Sequence, residues 1–170
     1  MIDAELRWAL VTRLAALGEL SAADIDAELA RDESAAGVLH AARARAMRPD
    51  PAAKQATWAL LTEPSQRPAY ELYASAEGFF EPGQTELTAG YLPRFFTEMP
   101  ATATHRQGWA LGRVVFNAFP VAAASPRVLE LAEAALADGR ELDPAVRRAF
   151  VDRTDTLRRA VLSLRRYGGV

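Results

Sequence analysis

Helix-opening signals recur along the whole sequence, and no strand pattern competes with them. Asp50-Pro51, Ser125-Pro126 and Asp143-Pro144 each set a capping side chain directly before a proline. Proline suits the first helical position because the N–H it lacks is one a helix leaves unpaired anyway. Ser21 followed by Asp24 has the form of a capping box, opening a short helix with Ile25 and Leu29. Asp3 can cap a helix that carries Leu6, Leu10, Leu14 and Leu17 on one face and stops at Gly18. Further helices are predicted over 34–47, from Asp50 through Trp58, Leu60 and Leu61, and over 68–80, 84–98 and 104–119. Ser125-Pro126 and Asp143-Pro144 open the last two. No segment alternates polar and apolar residues, so essentially no β-sheet is expected. The fold class is all-α: about nine helices in antiparallel pairs, packed as a compact bundle or, with no strict repeat, an irregular α-α superhelix.

A chain of 170 residues, half of them hydrophobic, can bury roughly 70% of its unfolded surface as a single helical domain, 1–170. Its net charge of −2, from 20 basic and 22 acidic residues, argues against a nucleic-acid partner, which needs a basic surface. No apolar run reaches the eighteen or so residues of a membrane helix, so no membrane partner is expected. The opening stretch "MIDAELRWAL" carries acids where a signal peptide carries positive charge, which predicts a cytoplasmic location. Lys54 is the one lysine, and cysteine is absent.

Chemistry-bearing patterns are missing. His40 sits in "HAARA", and His105 falls on a different predicted helix. Neither has the glutamate and second histidine of a helical zinc motif, so no metal ligand is assigned. There is no nucleophile elbow, Walker loop or dinucleotide fingerprint. The carboxylate pairs Asp24 with Asp26 and Asp152 with Asp155 fall among cap and surface positions. No catalytic residue is assigned.

Two arginine placements stand out at about 100° per residue. Around 104–119, Trp109, Leu111, Val114, Val115, Phe116 and Phe119 take nearly every direction, and Gly108 and Gly112 share one side. The polar strip left over is Arg106, Arg113 and Asn117. It either faces solvent or walls a cavity that meets anionic or peptide ligands. In the last helix Val146, Ala149, Phe150, Leu157, Ala160, Val161 and Leu164 share one face, and Arg147, Arg148, Arg158, Arg159, Arg165 and Arg166 lie opposite. Arg153 points into the middle of the apolar face. A structural ion pair with an acid on a neighbouring helix is the favoured reading there, and a ligand contact the other.

The stretch "AEGFFEPGQTEL" reads as a corner between helices. Leu72, Ala76, Phe79 and Phe80 recur at helical spacing, and Pro82 pushes Glu81 out of helical geometry. Gly83 permits the turn, and Gln84 or Thr85 can cap the next helix, which buries Leu87, Tyr91, Phe95 and Met99.

Together "DAELRWALVTRLAALG", "RPDPAAKQATWALL", "AEGFFEPGQTELTAGYLPRFF" and "DPAVRRAFVDRTDTLRRAVLSLR" resemble successive helices near the C-terminus of bacterial aminopeptidase N, a gluzincin zinc peptidase. The corner residues Gly78, Phe79, Phe80, Pro82 and Gln84 are the most specific match. The Pro51, Lys54 and Trp58 spacing comes next. The resemblance implies an irregular superhelix of armadillo/HEAT style, excised from the C-terminal part of a larger zinc aminopeptidase. That family's HExxH, distant glutamate and tyrosine match no position here, so zinc is expected only in the parent's catalytic domain, with no cofactor in this chain. The implied role is non-catalytic. The domain would close over the catalytic domain, wall the substrate chamber, and help select peptides through Arg106, Arg113, Asn117 and Arg153. The competing reading is a free-standing helical-repeat module that binds a protein partner.

Overall fold

The computed structural model describes residues 3–138 and 141–168. Among them are ten α-helices, two short 3-10 turns and no strand. In order they are α1 (Ala4–Leu17), α2 (Ala22–Leu29), α3 (Ala35–Met47), α4 (Pro51–Thr62), α5 (Ala69–Phe79), α6 (Thr85–Thr88), α7 (Tyr91–Ala101), α8 (Gly108–Asn117), α9 (Pro126–Ala137) and α10 (Pro144–Tyr167). The 3-10 turns cover Thr102–Thr104 and Val121–Ala123.

Local chemistry sets half of the starts. Ser21 and Asp24 form the reciprocal capping box, and Ser34 accepts from the Gly37 N–H. Asp50, Ser125 and Asp143 each cap a helix whose first residue is proline. Asp3 precedes α1 without a side-chain cap bond, while Gly18 ends that helix at φ 81°, the left-handed conformation glycine adopts without strain.

The helices stack as two layers. In one, α1 packs on α3, α3 on α5, α5 on α8, and α8 on α10. In the other, α4 packs on α7 and α7 on α9. The layers join where α4 meets α3 and α5, and α9 meets α10. Alternate helices in the chain thus become neighbours in space, the arrangement of an α-solenoid. The main core runs between the layers and includes Trp58, Phe79, Phe95, Met99, Leu111, Phe119, Phe150 and Leu157. A smaller, separate core holds Trp8, Ala15, Ile25, Ala41 and Ala44.

The corner after α5 is where three helix ends converge. The last carbonyls of a helix have no partner within it and carry its negative dipole end. Lys54 Nζ, fully buried, donates to the carbonyls of Ala46 in α3 (2.8 Å) and Phe79 in α5 (2.7 Å). Gln84 Nε2 donates to Ala16 in α1 (2.9 Å) and Met47 in α3 (2.8 Å). Phe79 is fully buried against Trp58, Phe80 and Tyr91, with ring centroids 4.9–5.1 Å apart. Gly78 lets α3 and α5 approach closely, since a Cβ there would lie 2.7 Å from the Arg43 carbonyl oxygen. Gly83 takes the turn at φ 86°.

Several expectations are corrected. The helix expected over 84–98 is two, α6 and α7. The helix expected over 104–119 begins only at Gly108, after a 3-10 turn and an extended Gln107 (φ −132°, ψ 163°). The leucine face of α1 turns outward, with Leu6, Leu10, Leu14 and Leu17 40–54% exposed. Trp8, Ala15 and Ala16 face the protein instead. In α10, Leu164 is exposed, and the buried side includes Thr154.

Candidate functional site

Two depressions open on the α3–α5–α8–α10 layer, and they share Trp109 and Arg113. The first, about 490 Å³, lies between α3, α5 and α8 and is lined by Leu39, His40, Arg43, Tyr70, Tyr73, Glu77 and Asn117 together with the shared pair. The second, about 510 Å³, lies between α8 and α10, with Gly112, Phe116, Pro144, Ala145, Arg148, Ala149 and Asp152 around the same pair. Trp109 is 76% exposed and Tyr70 71%. Large rings exposed to that degree, at the mouth of a depression, offer flat contact area at small conformational cost.

The charges are arranged unevenly. Glu77 is neutralised by an ion pair with Arg43 and accepts a hydrogen bond from Asn117 Nδ2 at 3.0 Å. The same Nδ2 lies 3.2 Å from the Tyr73 carbonyl oxygen. Asn117 therefore ties α8 to α5 at the floor of the first depression. Tyr73 is edge-on to Tyr70 at 5.5 Å. Burial, then the neighbouring Tyr70, raises its hydroxyl above the ordinary tyrosine value, against the opposing pull of Arg113 and Arg106. Arg148 reaches Asp152 only at 4.0 Å. Arg113 makes no ion pair or hydrogen bond among the described residues. It is the free cation between the two depressions.

Of the four arginine and asparagine positions singled out from sequence, the structure gathers two. Arg113 and Asn117 line the first depression together. Arg106 does not join them, because it lies before α8 and not on it. It is only 8% exposed and donates from Nη1 to the Leu61 carbonyl at the end of α4, 2.8 Å away. Burial holds its guanidinium below the usual arginine value. The expectation that Arg106 and Arg113 point the same way, one heptad apart, is corrected by that break. Arg153 forms no ion pair among the described residues, which overturns the favoured structural pair. Its guanidinium stacks 4.5 Å above the ring of Phe116, a wall of the second depression. Its Nε is buried without a partner, and burial lowers its pKa.

Sequence reasoning missed Tyr70, Tyr73, Arg43 and Glu77. Trp109 was read only as part of an apolar surround. The helical wheel marks Trp109 as apolar, but only the position of α8 between two clefts reveals its exposure. His40 stacks on Trp8 at 5.6 Å with Glu5 3.4 Å away, and His105 lies beside Thr104. Among the described residues no group of three or more histidine, cysteine or acidic side chains could hold a metal. No helix there is long and apolar enough to cross a membrane. The arrangement offers a ligand exposed aromatic rings, the Arg113 cation and the Asn117 amide.

Comparison with known proteins supplies the context. The ERAP1-like C-terminal domain family matches residues 1–159. Aminopeptidase N from Streptomyces lividans is 36% identical over 160 residues, which is 94% of this chain but only 19% of that protein. The chain therefore spans about a fifth of the length of that relative. The family match over nearly the whole chain, on an all-α two-layer stack, shows that the chain belongs to the ERAP1-like C-terminal domain family.

Proposed function

We propose that the chain is the non-catalytic C-terminal domain of a zinc metallo-aminopeptidase, that it walls the substrate chamber, and that it helps select peptides by length. The zinc and the hydrolytic chemistry belong to the catalytic domain of the parent, which is the first partner; the peptide is the second. The observation that carries the reading is Arg113, an unpaired cation between two depressions and beside an exposed tryptophan. A cation placed there has no structural task in the described chain, and a peptide carboxylate would give it one. Asn117 holds the floor at Glu77, and Arg153 stiffens Phe116 at the edge of the second depression.

The test is Arg113→Ala in the full-length aminopeptidase. A partly screened arginine–carboxylate contact contributes about 0.5–2 kcal/mol, roughly two- to thirty-fold in kcat/KM. Cleavage of peptides of several residues should slow by that factor, while dipeptide and arylamide turnover stays nearly unchanged because those substrates do not reach the wall. Equal effects on short and long substrates would defeat the reading.

A further inference from the structure

The depression between α3, α5 and α8 has two unlike ends. Trp109, Arg113 and Asn117 follow one another at four-residue intervals along α8 and line it together, so about 6 Å of helix axis separates each from the next. The Asn117 end is closed by its own bonds. Glu77, the one acid among the lining residues, is held there by Arg43 and by Asn117 Nδ2. The Trp109 end is open and aromatic, with Trp109 and Tyr70 exposed and Tyr73 set edge-on against Tyr70. Its free polar groups are mostly donors. The Trp109 indole N–H, the Arg113 guanidinium and the hydroxyls of Tyr70 and Tyr73 make no hydrogen bond among the described residues. An ordinary peptide laid across that end would bring backbone N–H groups that need acceptors, and stranding them is costly. Proline brings none. Its fixed φ also holds a chain in the polyproline II form, whose carbonyls have no internal partner and are free to accept.

We infer that this end of the depression selects proline: it takes the C-terminal end of a peptide with the carboxylate at Arg113 and prolines at the two residues before it, their rings between Trp109 and the Tyr70–Tyr73 pair. The lengths agree. A polyproline II chain rises about 3.1 Å per residue, so two residues cover the 6 Å or so of axis from Arg113 to Trp109. The chain runs toward Trp109 because the opposite end is filled by the Arg43–Glu77–Asn117 bonds. Flat aromatic faces give the pyrrolidine rings apolar contact, and a segment already rigid loses little conformational freedom on binding. The inference rests on the peptide-wall reading and adds to it the residue class that the wall prefers.

The test titrates the 170-residue chain with hexapeptides that carry proline, leucine or alanine at the two residues before a C-terminal alanine, each as free acid and as amide. Of the three tryptophans, Trp8 and Trp58 are buried and Trp109 is exposed, so quenching of tryptophan fluorescence by acrylamide reports Trp109. The proline acid should protect Trp109 and bind about tenfold or more tighter than the leucine and alanine acids. Tyr70→Ser, at an exposed position, should weaken the proline peptide by about three- to tenfold and leave the alanine peptide unchanged. Equal affinity for the proline and leucine peptides, indifference to Tyr70→Ser, or no protection of Trp109 by any peptide would overturn the inference. Amidation separates it from the reading it rests on. Weaker binding of all three amides with no proline preference keeps the Arg113 contact and discards the proline site, whereas a proline preference that amidation does not touch discards the Arg113 contact and keeps the proline site.

Discussion

Replacing Lys54 with methionine sets two large effects against each other, and pH separates them. Lys54 is fully buried, and its Nζ holds the terminal carbonyls of two helices at 2.7 and 2.8 Å. Removing the amine leaves two buried oxygens unpaired, at about 1–3 kcal/mol each. It also removes a desolvated charge. Burial pushes the lysine down from 10.5 to about 8, with Glu81 opposing, so keeping the proton in the folded state costs about 3 kcal/mol at neutral pH. At pH 7 the two effects nearly offset, leaving a net change between about 1 kcal/mol of stabilisation and about 3 kcal/mol of destabilisation. Between pH 8 and 10.5 the unfolded chain binds the proton that the folded one has released, so unfolding free energy contributed by this group rises with pH, by up to about 3 kcal/mol across the window. The neutral amine keeps two N–H groups, enough for both carbonyls, so the bonds survive deprotonation. Denaturant titrations of wild type and Lys54→Met from pH 7 to 10.5 read the difference directly, with the gap widening as pH rises. Parallel curves, or a gap that closes, would refute the reasoning.

Other substitutions around the same corner follow from the packing. Phe79→Ala removes a fully buried ring and should cost about 3–5 kcal/mol in denaturant titration; a loss below about 1 kcal/mol would contradict its burial. Gly78→Ala puts a Cβ 2.7 Å from the Arg43 carbonyl oxygen, so α3 and α5 must part, with an expected loss of about 2 kcal/mol or more. Gln84→Leu strands the carbonyls of Ala16 and Met47, and its cost of about 2–4 kcal/mol should appear as faster amide exchange at the ends of α1 and α3.

What the sequence revealed was mostly what is local. Ser21 with Asp24, Asp50 before Pro51 and Asp143 before Pro144 work as caps because donor and acceptor lie within three residues. The leucine spacing in α1 correctly places four side chains on one face, but periodicity does not say whether a neighbour covers that face. Here none does. The break before α8 was harder to see, because Arg106 fits the wheel of a continuous helix. Only the Leu61 carbonyl, 45 residues away, explains why it turns inward. Gln84 was read as a cap for the following helix, whereas its amide spans to residues 68 and 37 positions distant. Arg153 was expected to find an acid, and it found the face of Phe116, a weaker partner that leaves its buried Nε without a hydrogen bond. The depressions themselves arise from helices far apart in sequence, so beyond Arg113 and Asn117 their lining residues had no local signature.

The central claim is that Arg113 meets the carboxylate end of a peptide held against this domain. The most direct measurement is a double-mutant cycle in the full-length aminopeptidase, pairing Arg113→Ala with C-terminal amidation of a peptide long enough to reach the wall. If the contact exists, amidation and substitution each lower kcat/KM by about two- to thirty-fold, and together they lower it no further than either alone. Fully multiplicative losses, or an amidated peptide cleaved as fast as the free acid by the wild-type enzyme, would contradict the account.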